Sequence, residues 1–84
     1  MDMAQVVETA KHHLLQVLGD ELIEQPSTEE VWLDRKKAEW CVTLGIIRRT
    51  SPVAGLKLTE YKTVRMTHAD CELVSIRNRE FSHA

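Results

Sequence analysis

Long apolar runs are missing from this chain: no more than three apolar side chains stand in a row anywhere in its 84 residues. A bilayer-crossing helix needs about 18 or more, so none is expected. Cysteine is scarce, with only Cys41 and Cys71. Small disulfide scaffolds usually carry at least four, and no Cys-x-x-Cys spacing occurs, so two reduced thiols are expected. The three glycines, Gly19, Gly45 and Gly55, lie far apart, which excludes a glycine-rich phosphate loop. Aromatic residues make up 5% of the chain, with one Tyr and one Phe beside two Trp, thin material for stacking nucleic-acid bases. An excess of base is also lacking. The net charge is −2 and the isoelectric point about 6.0, below the basic balance of nucleic-acid modules.

What is present reads as one small globular domain over residues 1–84. The hydrophobic fraction is 43% and the charged fraction 29%, ordinary values for a folded chain. Asp2 argues against a secretory leader, so the expected location is cytoplasmic. Charge is unevenly spread. Residues 1–30 hold one base, Lys11, against seven acids, whereas residues 31–84 hold ten bases against six acids. The two parts are suited to attract each other, within one molecule or between two.

The first element is a helix over about residues 2–18. Met3, Val6, Val7, Ala10, Leu14, Val17 and Leu18 recur at three- and four-residue spacing and form one apolar stripe. Asp2 is placed to cap it with Gln5 as capping-box partner, Met1 and Val6 as a staple, and Gly19 as a left-handed stop. Pro26 then breaks the pattern. Strands are expected at about 31–33, 40–49, 56–66 and 72–79. For residues 28–39 a second helix from a Ser27 or Thr28 cap is the rival, but Val31, Trp32 and Leu33 are contiguous and make no helical stripe. The fold class is α+β: one N-terminal helix packed on a curved antiparallel meander of about four strands.

In "WCVTLGIIRR" the residues Trp40, Val42, Leu44 and Ile46 share one face, and Gly45 interrupts the strand. A helix is about 10 Å wide and four strands about 20 Å. A bulge at Gly45 would bend the sheet around the helix and reset the alternation at Ile46 and Ile47. A matching irregularity is expected in the third strand between Leu58 and Val64.

The second half, "EWCVTLGIIRR", "LTEYKTVRM" and "CELVSIRNREF", resembles the cystatin-like α+β architecture of PepSY-type domains and the gas vesicle protein O family. Trp40, Tyr61, Leu73, Arg77 and Arg79 stand in the matching places, over roughly residues 38–81. Pro52 is displaced from Arg49, and "THADCE" replaces the glycine of the last turn. The resemblance implies an accessory or interaction domain without chemistry of its own; gas vesicle assembly is not carried over.

Chemistry finds little footing. His12 and His13 are consecutive, so on a helix they point about 100° apart; with His68 and His83 they show no His-x-x-x-His spacing. No metal site or cofactor is expected. His68, Asp70 and Cys71 sit inside one turn, whereas a nucleophile, its base and its orienting group normally come from separate elements. Glu60 is the one acid that parity places toward the inner face.

The function expected is therefore a non-catalytic protein-interaction module, self-associating as a homodimer. Its candidate surface is Arg49, Lys57, Tyr61, Arg65, Arg77 and Arg79, with Cys41, Ile47, Tyr61 and Leu73 left on the sheet face away from the helix. A second reading is a small-molecule binder or minor enzyme, with a pocket between helix and sheet lined by Leu14, Trp32, Trp40 and Met66. A third is single-stranded nucleic-acid binding on the basic strand face, which the isoelectric point disfavours.

Overall fold

A computed structural model describes residues 2–49 and 58–80. Helix α1 (Met3–Leu18) is followed by a single 3-10 turn (Gly19–Glu21) and four strands: β1 (Ser27–Asp34), β2 (Glu39–Ile47), β3 (Thr59–Thr67) and β4 (Leu73–Asn78). The strands form one antiparallel sheet in the order β1-β2-β3-β4. This is the expected α+β meander.

The helix starts as its sequence dictates. Asp2 Oδ1 accepts from the Gln5 backbone N–H, and Gln5 Oε1 accepts from that of Asp2, both at 2.9 Å, a complete capping box. The staple residue Met1 lies outside the described residues. Gly19 does not make a left-handed stop. Its φ of −51° is right-handed, and the chain tightens into the 3-10 turn. Leu22 then enters the core and bridges to Arg48. The stripe narrows to Val6, Ala10 and Leu14, while Met3 and Val17 stay exposed.

Residues 28–34 are extended and 35–38 form a hairpin turn into β2, which removes the rival helix. Strand β1 begins at Ser27, four residues before the expected start, because pairing with β2 outweighs the poor strand preference of its Glu residues. Asp34 Oδ1 accepts from the backbone of Lys36 and Lys37 at 3.2 Å. The hairpin closes through Ala38, whose φ of 53° is left-handed. Strand β3 starts at Thr59; residues 56 and 57 of the expected strand lie outside the described ones.

Cross-strand register sorts the side chains. Val31, Val42, Val64 and Ile76 make one row on the helix face; Leu33, Trp40, Met66 and Leu73 make the next. Val42, Leu44, Ile46, Val64 and Met66 are buried there with Val6, Ala10, Leu14, Leu22 and Cys71. The opposite face carries the rows Ser27–Gly45–Tyr61, Glu30–Thr43–Thr63–Arg77 and Trp32–Cys41–Arg65–Ser75. Leu73 therefore belongs to the helix side, against expectation.

Gly45 is not a bulge. It pairs regularly with Ser27 and Tyr61, and the alternation continues through Ile46, which is buried, and Ile47. The extra residue sits next door, at Glu29 of β1, and a second is Val74 of β4. A β-carbon on Gly45 would lie 2.7 Å from Ser27 Oγ and 3.1 Å from Glu29 Oε1. The glycine makes room for the side chains of the bulged neighbour. Strand β3 pairs with β2 without a break, so the irregularity expected there is absent as well. Both outer strands are the bulged ones.

Candidate interaction surface

The sheet face away from α1 has a floor of short side chains. Cys41, Thr43 and Gly45 are buried, and Thr63 is only 8% exposed. No described helix or strand covers them. The cover comes instead from long side chains on the outer and flanking strands. Thr43 and Thr63 satisfy each other through their hydroxyls at 2.9 Å, as buried polar groups require.

Arg65 reaches over the β2 strand. Its Nη1 lies 3.2 Å from both Asp34 Oδ2 and Glu39 Oε1. At the other end, Arg79 Nε lies 3.4 Å from Glu30 Oε1. Strands β1 and β4 are about 14 Å apart in a flat sheet, so these two side chains span the face together. The Arg79 backbone N–H donates to Tyr61 O at 2.8 Å and extends the β3–β4 pairing by one residue.

Electrostatics follow the geometry. The backbone N–H of Lys37 and then the Arg65 guanidinium hold Asp34 below the usual carboxylate range. The hydrogen bond to Asp34 pushes Arg65 up. Burial pushes both thiols, Cys41 and Cys71, above their ordinary value, so they stay protonated and unreactive at neutral pH. Because the Asp34 pKa is depressed by folding, its stabilisation is present above its unfolded value and is lost as pH falls below about 4. Urea midpoints measured down that range should fall less steeply for Asp34→Asn than for wild type. Parallel curves would mean the contacts to Asp34 do not persist in solution.

The expected surface residues do not all come together. Tyr61, Arg65, Arg77 and Arg79 share the face away from the helix. Arg77 is exposed and has no ion pair among the described residues. Arg49 lies apart: its side chain donates to Asp20 O at 3.2 Å and its backbone to Glu21 O at 2.6 Å. Lys57 lies outside the described residues. The face is also less basic than its arginines suggest, because Asp34, Glu39 and Glu30 neutralise Arg65 and Arg79. With Arg48, placed between Glu21 and Glu60 at 3.3 and 2.6 Å, the pair Glu30–Arg79 joins the acidic first third of the chain to the basic remainder within one molecule.

The four residues expected to line a helix–sheet pocket do not line one. Leu14 and Met66 are fully buried in the core, and Trp40 packs against it. Trp32 projects from the other face, because register sets it opposite Cys41. An open groove of about 840 Å³ instead crosses the end of the sheet, bounded by residues including Glu29, Tyr61 and Arg79.

The histidines and the turn cluster are structurally placed. His13 Nε2–H donates to Cys71 O at 2.9 Å. The His68 ring rests 5.8 Å from the centre of Trp40. Cys71 is buried with a left-handed φ of 53°, while His68 and Asp70 are exposed. Among the described residues no group of three or more His, Cys, Asp or Glu could hold a metal ion, and no helix is long and apolar enough to cross a membrane.

Two features of this face escaped the sequence reading. Arg65 shares its sheet face with Asp34 and Glu39, and the charged hairpin "DRKKAE" is the signal that could have paired them. The contact of Glu30 with Arg79, 49 positions apart, has no local signal. Set against protein family models, curated proteins and solved structures, the chain matches none of them.

Proposed function

We propose that this chain is a non-catalytic interaction module of cystatin-like type, cytoplasmic, that docks a protein on the sheet face away from its helix. One observation carries the reading. That face has no covering element among the described residues, yet it sets Trp32, Tyr61 and Arg77 on a close-packed floor of short side chains. Trp, Tyr and Arg are the residue types that dominate binding energy at protein interfaces. The paired charges at Arg65 and Arg79 form the kind of polar rim that surrounds such a centre. Nucleic-acid binding is poorly supported, because the carboxylates that engage Arg65 and Arg79 would have to release them to phosphate. Catalysis is poorly supported as well, because burial holds both thiols, Cys41 and Cys71, in the protonated form.

The test is quantitative capture from an extract of the source organism by wild type and by Arg77→Ala/Arg79→Ala. Both replaced side chains are exposed, so folding should be retained, and partners bound on this face should drop out of the variant's capture. Equal recovery of every protein by the two would remove the reading.

A further inference from the structure

We infer that this face meets a second copy of the chain, face to face, with the two-fold axis parallel to the strands. The inference rests on the interaction-module reading and names the partner of that same surface. It starts from a charge gradient across the sheet. The β1 margin carries Glu29 and Glu30; the β4 margin carries Arg77, with Arg79 just beyond. Glu30 and Arg77 end the same cross-strand row.

Two sheets packed on each other can share a two-fold axis in only two simple ways. With the axis across the strands, β1 lies over the partner's β1, and the acidic margin of Glu29 and Glu30 runs along the partner's acidic margin. Like charges are then opposed at both margins. With the axis along the strands, β1 lies over the partner's β4 and each row lies over its own reverse. Glu30 then faces the partner's Arg77, and the reciprocal contact repeats it. Electrostatic complementarity selects this second arrangement.

Side-chain size agrees with charge. Reversing the row Trp32–Cys41–Arg65–Ser75 puts the indole over the partner's Ser75. Reversing the row through Gly45 and Tyr61 puts the phenol over the partner's Gly45. Each large group meets a small one, as interdigitated sheet faces require. Side-by-side pairing of outer strands is disfavoured by the extra residues Glu29 and Val74, since bulged edges pair badly. A four-stranded face of about 20 by 20 Å is small for an interface, so a dissociation constant in the micromolar range or weaker is expected.

Sedimentation equilibrium of the full chain, from about 1 μM to 1 mM, should show a reversible shift from 9.7 kDa to twice that mass. Arg77→Glu and Glu30→Arg should each weaken the dimer by about tenfold or more. The double variant, and an equimolar mixture of the two single variants, should restore it. A wild type monomeric throughout overturns the inference while leaving the capture experiment to judge the module reading. A dimer indifferent to the single changes, or not restored by their combination, also overturns it.

A spin label at Asn78→Cys reads the geometry without altering either charge. The β4 backbones should lie about 17 Å apart, against about 10 Å or less if β4 sits over or beside its counterpart. Should Glu30→Arg fold poorly without its Arg79 contact, that distance decides.

Discussion

Leu44→Ala is expected to cost ~2–5 kcal/mol, the range for deleting a buried leucine and leaving part of its cavity unfilled. Leu44 has no exposed surface and sits between Val42 and Ile46 on the helix face of β2. The strand cannot collapse into the space, because its backbone is hydrogen-bonded on both sides by β1 and β3. A chain of 84 residues has roughly 4–13 kcal/mol of stability in total, so a large fraction disappears with this one side chain. The urea midpoint should fall steeply with an unchanged slope. Val17→Ala on the exposed side of the helix removes a side chain that is 60% exposed and should change stability by less than about 0.5 kcal/mol. Equal midpoints for Leu44→Ala and wild type would mean that the alternation of β2 is reversed.

The second large effect concerns the glycine. Gly45→Val should cost ~1–3 kcal/mol, as over-packing does in a filled site. Its β-carbon falls on Ser27 Oγ, and Thr59 Cγ2 stands 3.5 Å away on the other side. Ser27 can yield only by rotating away from Glu29 Oε1, to which it donates at 2.8 Å. Ser27→Ala removes the obstructing oxygen, so the pair of substitutions should be less damaging than the sum of the singles. A coupling of at least ~0.5 kcal/mol is expected for residues in contact. Strict additivity in the double-mutant cycle would show that the bulge of β1 does not rest on position 45.

These two experiments also mark how far the sequence could be read. The face of Trp40, Val42, Leu44 and Ile46 follows from alternation, the helix from three- and four-residue spacing, and its cap from Asp2 and Gln5. The start of β1 was hidden because Ser27 to Glu30 contain no apolar residue; only pairing with β2 makes them a strand. The side of Trp32 was misjudged for a different reason. Trp32 and Leu33 are adjacent and both apolar, so their faces depend on the hairpin register, which Asp34 and the left-handed Ala38 set. Gly45 correctly marked a disturbance but placed it on the wrong strand, since a missing side chain can serve a neighbour's backbone as readily as its own. Of the candidate surface, Tyr61, Arg65, Arg77 and Arg79 were found by strand parity. Their neutralising carboxylates were not, because ion pairs across a sheet depend on strand order and side-chain length together.

The extra residues at Glu29 and Val74 lie on the two strands where a growing ribbon would have to add its next member. Each puts a step in the ladder of amide and carbonyl groups that an incoming chain would need to match. Such steps disfavour polymerisation by strand addition at both outer strands, and concentrated solutions should stay clear and free of fibrils.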